Sequence, residues 1–232
     1  MTVKALSKRE LAGLLTAAAM CGVPPAGADT LVMSDYEFPP RLTFQLAGPS
    51  MSVGAGGFSA VYTPTGGAPT SFIAYCIDLV QTFTFGSPFV VTPVSALVHF
   101  GATRASALDR LYTQQFAAVN TNIESAAFQL AVWEIMQETT GSYTVSGGSF
   151  TAAATPGSNA DDLSAIAQAN DWLGALGSGA FGGYTLTALT SAARQDQLMA
   201  TPISEPETYA MLLAGLGLMG LMVRRRRQSL AA

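Results

Sequence analysis

Cys76 is the residue whose type most directly suggests covalent chemistry. The chain has 232 residues, with two cysteines and one histidine. A thiol becomes a nucleophile when a neighbouring base or a lowered pKa activates it, so a cysteine hydrolase with Cys76 as nucleophile and His99 as base is one hypothesis. His99 lies in an ordinary apolar segment, and nothing in the sequence brings it near Cys76. A structural role for His99 is therefore the better interpretation.

The N-terminus determines how many cysteines an exported form would keep. Three basic residues precede an apolar run over residues 11–21, and small residues follow up to Ala28. This pattern is typical of a Sec signal peptide and predicts cleavage after Ala28. A lipoprotein interpretation at Cys21 is disfavoured because Met20, just before it, is too large. Cleavage would remove Cys21 and leave Cys76 without a disulfide partner.

The C-terminal segment has three parts in a fixed order: a short Pro-Glu stretch at 201–208, an apolar run at 209–223, and a basic tail at 224–232. The apolar run predicts a single transmembrane helix of roughly 22 Å at about 1.5 Å per residue. The arginines behind it predict a cytoplasmic C-terminus and a domain that faces the periplasm. A plain membrane anchor is the alternative. The candidate sorting residues are Ser204, Glu205, Pro206, Arg224, Arg225, Arg226 and Arg227.

This order of parts over residues 203–227 resembles the PEP-CTERM sorting signal, with Ser204 where that family usually has its first proline. The resemblance implies processing by an exosortase in a Gram-negative bacterium that makes exopolysaccharide. The implied route is Sec export, a transient inner-membrane anchor, and then the cell surface or extracellular matrix. Exosortase, the membrane and exopolysaccharide are the expected partners.

The charge of the region between the two terminal segments excludes some functions. Residues 29–200 contain four arginines, no lysine and twelve carboxylates, a formal charge of about −8. Such a surface repels phosphate backbones, so we expect no nucleic acid partner. One histidine and one exported cysteine offer no metal-ligand set, and we expect no metal and no cofactor.

The periodicity of residues 29–200 predicts one α+β domain. Short alternating runs, among them 42–46 and 82–85, predict strands. Helices are predicted at 102–119, 121–140 and 160–176, with a returning strand at 184–189. The stretch 141–157 has the composition of a flexible loop, with a poor hairpin as the alternative. The expected architecture is a β-sandwich or barrel-like scaffold with an inserted helical subdomain, followed by the transmembrane sorting helix.

Two of these elements carry candidate residues. Residues 72–79 form a strand in which Cys76 and Asp78 share the more polar face, although burial of Cys76 as a small core residue is an equal alternative. The helix at 121–140 is apolar almost all round and predicts a central helix. Gln129 and Trp133 lie on one stripe of it, and a buried Gln129 must find hydrogen-bond partners by bracing a neighbouring loop.

Three short blocks, Tyr75-Cys76-Ile77, then Gln129-x-Ala131-Val132-Trp133, then Gln195-x-x-Leu198-Met199, occur in an order that resembles the bacterial thioester domain family. That family is best known from surface adhesins of Gram-positive bacteria. The resemblance implies an intramolecular thioester between the sulfur of Cys76 and the acyl group of Gln195. It implies supporting roles for Gln129 and Trp133. Gln197 is the reserve acyl donor.

The predicted function is thus covalent adhesion to an amine- or hydroxyl-bearing surface or matrix target, without enzymatic turnover. A domain without lysine cannot cross-link its own copies through lysine side chains, which would reserve the electrophile for another molecule. The alternatives are a passive exopolysaccharide-associated structural protein and the cysteine hydrolase described above.

Overall fold

The computed structural model describes residues 27–203 except 48, 49, 140, 141, 156, 158, 159 and 178, and also residues 215, 216 and 219. Nearly all of the predicted signal peptide and sorting tail lies outside the described residues. This includes Ser204, Glu205, Pro206 and the four arginines at 224–227. No helix among the described residues is long and apolar enough to cross a membrane.

The described part of the chain contains ten strands, four α-helices and a short 3-10 helix at Phe116–Ala118. The strands are β1 (Thr30–Tyr36), β2 (Leu42–Leu46), β3 (Met51–Ala55), β4 (Phe58–Thr63), β5 (Thr70–Cys76), β6 (Phe89–Val90), β7 (Thr92–Ser95), β8 (Ala152–Ala154), β9 (Tyr184–Thr190) and β10 (Gln197–Pro202). The helices are α1 (Ala96–Phe100), α2 (Ala102–Gln115), α3 (Asn122–Gln137) and α4 (Ala160–Ala175).

Seven strands form one antiparallel sheet in the order β6-β1-β4-β5-β10-β9-β7. Its two edge strands, β6 and β7, are separated in sequence by Val91 alone. The edges therefore come together, and the sheet is nearly closed, like a barrel. A second, three-stranded sheet has the order β3-β2-β8. Strands β5 and β10 are neighbours near the middle of the larger sheet.

All four α-helices and β8 fall between β7 and β9 in the chain. This arrangement confirms the predicted α+β class. The three predicted helices are present as α2, α3 and α4. A capping box at Thr121 and Glu124 fixes the start of α3, because each side chain accepts a hydrogen bond from the other residue's backbone N–H. Eleven of its sixteen residues are buried, as expected of a central helix.

Two local predictions were wrong. Residues 82–85 form no strand. Instead Phe83 and Phe85 turn their rings onto Phe58, with ring centroids 5.0 and 6.0 Å away, so aromatic packing rather than a ladder holds this segment. The described residues of 141–157 are not a free loop either: Val145 and Phe150 are fully buried and β8 pairs with β2.

Candidate functional site

Cys76 is the last residue of β5 and is only 2% exposed. The predicted polar face at this position was wrong, since Ala74, Tyr75 and Cys76 are all buried. Both faces are covered because β5 is an inner strand of a curled sheet and α3 packs against it. The alternative of a buried thiol is the one that the structure shows.

Gln129 of α3 braces the backbone of Cys76. The N–H of Cys76 donates to Gln129 Oε1 at 2.9 Å, and Gln129 Nε2 donates back to the Cys76 carbonyl at 2.8 Å. On this side of β5, β4 pairs only as far as Ala74, opposite Phe58. The carboxamide of Gln129 thus takes the place of the missing strand, because it offers one donor and one acceptor as a peptide group does. Gln129 therefore braces the end of a strand, whereas the sequence predicted that it would brace a loop.

On its other side, Cys76 is opposite Gln197 of β10. The backbone groups of Cys76 are turned toward Gln129, so the Cys76 and Gln197 pair belongs to the closely spaced type without mutual backbone hydrogen bonds. The ladder continues one residue on, where the N–H of Ile77 donates to the Asp196 carbonyl at 3.1 Å. Directly opposed residues share a face of the sheet, which places the side chains of Cys76 and Gln197 together.

Gln195, just before β10, and Cys76 donate hydrogen bonds to the same carbonyl oxygen. The Sγ of Cys76 donates to the Asp78 carbonyl at 2.7 Å, and Gln195 Nε2 donates to the same oxygen at 2.8 Å. The thiol and the carboxamide are therefore within two hydrogen-bond lengths of each other. The structure thus brings the two residues of the predicted cross-link to one point, although they are 119 positions apart in the sequence.

Gln197 is fully buried, and its side chain also reaches Gln195. Gln197 Nε2 lies 3.4 Å from both the backbone oxygen and the Oε1 of Gln195. Its own Oε1 is buried and has no hydrogen-bond partner among the described residues. Two carboxamides and one thiol therefore share a small volume at the junction of β5 and β10.

Trp133 completes the group from α3, four residues after Gln129 and so on the same helix face. Its indole N–H opposes the rise in the pKa of the Cys76 thiol that burial causes. The buried Nε1 has no hydrogen-bond partner among the described residues. The indole N–H is therefore an available donor beside Cys76.

Burial raises the pKa of the Cys76 thiol to about 12. The Trp133 contact and the hydrogen bond to the Asp78 carbonyl oppose this rise, whereas the carboxylates of Asp78 and Asp196 add to it. The thiol is thus neutral at ordinary pH. A hydrolytic cysteine needs a lowered pKa in an electropositive surrounding, and this environment is the reverse.

A cleft of about 430 Å³ opens beside the buried group. Asp78 and Asp196 line it, together with Ile77 and Val80, and Val80 is 90% exposed. Burial raises the pKa of Asp196, as does Asp78, while the Ser191 N–H opposes the rise. Sequence analysis named Asp78 but missed this cleft and Asp196, because only the pairing of β5 with β10 brings the two carboxylates together.

His99 does not form a dyad with Cys76 in the described structure. It is exposed, its ring packs against Phe100 with centroids 4.6 Å apart, and its charge lowers the pKa of Asp196. No hydrogen bond joins His99 to Cys76 among the described residues. The described residues also contain no group of three or more His, Cys, Asp or Glu side chains able to hold a metal ion.

Comparison with known proteins identifies the sorting segment. Residues 202–227 match the PEP-CTERM protein-sorting motif, which confirms the predicted resemblance to within one residue. The motif implies export, processing by an exosortase and sorting toward the cell surface. No curated protein matches the chain. Among solved structures, the chain is similar to the N-terminal domain of the Streptococcus pyogenes pilus tip adhesin Cpa, with 13% identity and a TM-score of 0.41, covering 74% of this chain and 98% of that one.

Proposed function

We propose that this protein forms an internal thioester between Cys76 and Gln195, and that the thioester attaches it covalently to a partner after sorting. The observation that carries the proposal is the shared acceptor: the Cys76 thiol and the Gln195 carboxamide both donate to the Asp78 carbonyl. A buried thiol beside a carboxamide, held by hydrogen bonds at both the backbone and the side chain, has the proximity that an intramolecular acyl transfer needs.

The bond-forming step follows from the neutral state of the thiol. The Cys76 sulfur adds to the side-chain carbonyl carbon of Gln195, and the thiol proton passes to the carboxamide nitrogen. The C–N bond then breaks and ammonia leaves, so the two residues lose one ammonia between them and no oxidant is needed. The Asp78 carbonyl orients both the S–H and the NH₂ for this exchange.

Gln195 is a better acyl donor than Gln197 because of access. Gln195 is half-buried, whereas Gln197 is fully buried. A thioester must be sheltered from water and yet be reached by the partner's nucleophile. Asp196, the residue that follows Gln195 in the chain, lines the cleft, so we infer that the partner's nucleophile approaches from this side.

The cleft carboxylates favour an amine over a hydroxyl as the nucleophile. Asp78 and Asp196 attract a protonated amine, and a carboxylate whose pKa is raised can also accept its proton. Attack by the amine leaves a stable amide at Gln195 and a free thiol at Cys76. Since residues 29–200 contain no lysine, copies of the domain would offer no lysine to each other. A lysine of a surface or matrix protein is the favoured target.

Each thioester is used once, so the protein is an adhesin-like component and not an enzyme. We place the exported domain at 29–200, between a signal peptide at 1–28 and the sorting segments at 201–208, 209–223 and 224–232. The fold supports a boundary near these positions: β1 begins at Thr30, and β10 ends at Pro202. A Gram-negative cell surface with exopolysaccharide and a biofilm matrix is the proposed setting.

Intact-mass measurement of the full chain, purified in detergent at neutral pH, tests the proposal. The expected mass lacks one ammonia, and incubation with methylamine adds one methylamine at Gln195. Cys76→Ala and Gln195→Ala should each show the full mass and no methylamine uptake. Glycerol in place of methylamine measures hydroxyl capture, which we expect to be slower.

Gln114→Ala is the matched control, because Gln114 is also a half-buried glutamine whose Nε2 donates to a backbone carbonyl, that of Ala180, at 3.0 Å. This variant should retain the ammonia loss. An unmodified chain that keeps its full mass and takes up no methylamine would instead indicate a passive structural protein of the exopolysaccharide matrix.

A further inference from the structure

We infer that Gln197 is a catalytic residue of the acyl transfer, donating a hydrogen bond to the oxygen on which negative charge develops at Gln195. The inference rests on the proposed Cys76–Gln195 thioester. Attack on a carboxamide or thioester carbon passes through a tetrahedral species whose oxygen carries negative charge, and a donor aimed at that oxygen lowers the barrier.

Gln197 is the donor that the described structure places at this oxygen. Its Nε2 lies 3.4 Å from Gln195 Oε1, the carbonyl oxygen of the acyl donor. This is long for a ground-state hydrogen bond. Hydrogen bonds to a charged oxygen are shorter and stronger than those to a neutral one, so this contact tightens as the oxygen gains charge. A bond that strengthens only in the transition state accelerates the reaction.

The orientation of the Gln197 carboxamide is set by this contact. Its Nε2 faces two acceptors, the backbone oxygen and Oε1 of Gln195. Its own Oε1 has no hydrogen-bond partner in the described structure, although the side chain is fully buried. Rotating the amide by half a turn would set Oε1 against two other oxygens. The unpaired acceptor is thus the consequence of directing the N–H groups at Gln195.

The sheet fixes Gln197 in this position. It is directly opposite Cys76 in the β5–β10 pair, with the Gln129 carboxamide on the far side of the Cys76 backbone. The nucleophile and the donor therefore belong to two paired strands, and the acyl group lies two residues before the donor. Alternate residues of a strand share a face, so Gln195 and Gln197, two positions apart, approach Cys76 from the same side.

The test measures the rate of methylamine capture by the full chain in detergent, with intact mass as the readout. Gln197→Met keeps the length of the side chain and removes the donor. We expect it to slow capture on the order of a hundredfold, the lower range for the loss of one oxyanion donor, with an unchanged dependence on methylamine concentration. Tandem mass spectrometry should place the methylamide at Gln195.

Gln197→Glu distinguishes catalysis from packing. A protonated glutamate can donate to the oxygen and an ionised one cannot, so its rate relative to the unmodified chain should rise as the pH falls. A structural role would give a ratio that is independent of pH. This isosteric variant also decides the matter if Gln197→Met fails to fold, as judged by circular dichroism.

Three results would overturn the role of Gln197 while leaving the thioester in place: capture at the unmodified rate in Gln197→Met, a pH-independent ratio in Gln197→Glu, or a methylamide found on Gln197 itself. The proposed function fails in a different way, since the unmodified chain would then lack the ammonia loss, and the role of Gln197 would fall with it.

Discussion

The two halves of α3 hold neighbouring segments by different chemistry. In the first half, the neutral carboxamide of Gln129 holds the end of β5 through two hydrogen bonds to the Cys76 backbone. At the other end, carboxylates of the second half and of Glu138, the C-cap residue just after α3, hold the segment that follows the helix. Glu134 accepts from the Thr144 N–H at 2.8 Å, and Glu138 accepts from the Ser149 N–H at 2.7 Å.

The two kinds of side chain suit two different roles: the carboxamide lies beside the reactive thiol, and the carboxylates anchor a segment of the chain. A carboxylate next to Cys76 would raise the pKa of the thiol further and oppose the charge that develops on the acyl oxygen. A carboxamide satisfies the same backbone groups without adding charge. The region after α3 has no such constraint, and an ionised carboxylate there binds a backbone N–H through a stronger, charge-assisted hydrogen bond. In the second region, the raised pKa of Glu134 makes stability depend on pH.

The largest effect on stability is expected from removing the carboxamide of Gln129, which holds the backbone of Cys76. Gln129→Met keeps the apolar volume but leaves the N–H and C=O of Cys76 buried and unpaired. Each such group costs about 1–3 kcal/mol, so we expect the two together to lower the free energy of unfolding by about 2–6 kcal/mol. The thioester should be lost as well, because the Cys76 sulfur is no longer fixed. Urea unfolding and intact mass measure the two effects.

Gln114→Met is the matched change at a half-buried glutamine on α2, and we expect it to alter stability by about 0.5 kcal/mol or less. A Gln129→Met chain that still lost one ammonia would show that the brace contributes stability alone. The distinction between a reactive half and an anchoring half of α3 would then fail.

An intermediate effect on stability is expected from substituting Gly148, which lies against the carboxylate of Glu138 in the region that we call the acidic half, namely Glu134, Glu138 and the segment they hold. Its φ is +99°, and a Cβ there would lie 2.1 Å from Glu138 Oε2. The Glu138 carboxylate cannot move aside without breaking its bond to the Ser149 N–H. Gly148→Ala should therefore cost about 1–3 kcal/mol, measured by urea unfolding, while the ammonia loss remains. The neighbouring Gly147 has open space around it, so an equal loss in Gly147→Ala would contradict this explanation.

The sequence predicted the class and the helices better than it predicted the surroundings of the site. The start of α3 was readable because Thr121 and Glu124 form a local capping box. The burial of Cys76 could not be predicted in the same way. Strand alternation assumes that one face of the strand is exposed to solvent, whereas β5 is covered on both faces by the curled sheet and by α3.

The surroundings of the site could not be predicted because they depend on the pairing of strands that are far apart in the sequence. The residues Cys76, Gln129 and Gln195 were selected by their order in the chain, and their meeting depends on the register of β5 with β10. The same register places Gln197, the reserve acyl donor, opposite Cys76, and it brings in the cleft at Asp196, which has no local signal. The Gly and Ser content of the segment after α3 predicts a loop, and it outweighs the signal of the two buried residues, Val145 and Phe150, that hold the segment in place.

The last effect is a pH dependence of stability that comes from the charge of Glu134 in the acidic half. Burial raises the pKa of Glu134 to about 7 from its ordinary value of 4.5; Glu138 adds to the rise and the Thr144 N–H opposes it. Between these pH values the unfolded chain has ionised Glu134 while the folded chain keeps it protonated. Stability from this group is thus full below pH 4.5, falls as the pH rises to 7 and is constant above.

Glu134→Gln removes this titration while keeping an oxygen that can accept from Thr144. The difference in unfolding midpoint between the variant and the unmodified chain should grow in favour of the variant from pH 5 to pH 8. Thermal unfolding followed by circular dichroism measures it, and subtracting the two curves cancels the other titrating groups, including Asp196. The ammonia loss should be the same in both chains. A midpoint difference that did not change with pH would show that Glu134 is not the titrating group. Loss of the thioester in Glu134→Gln would show that the second half of α3 also supports the reactive group.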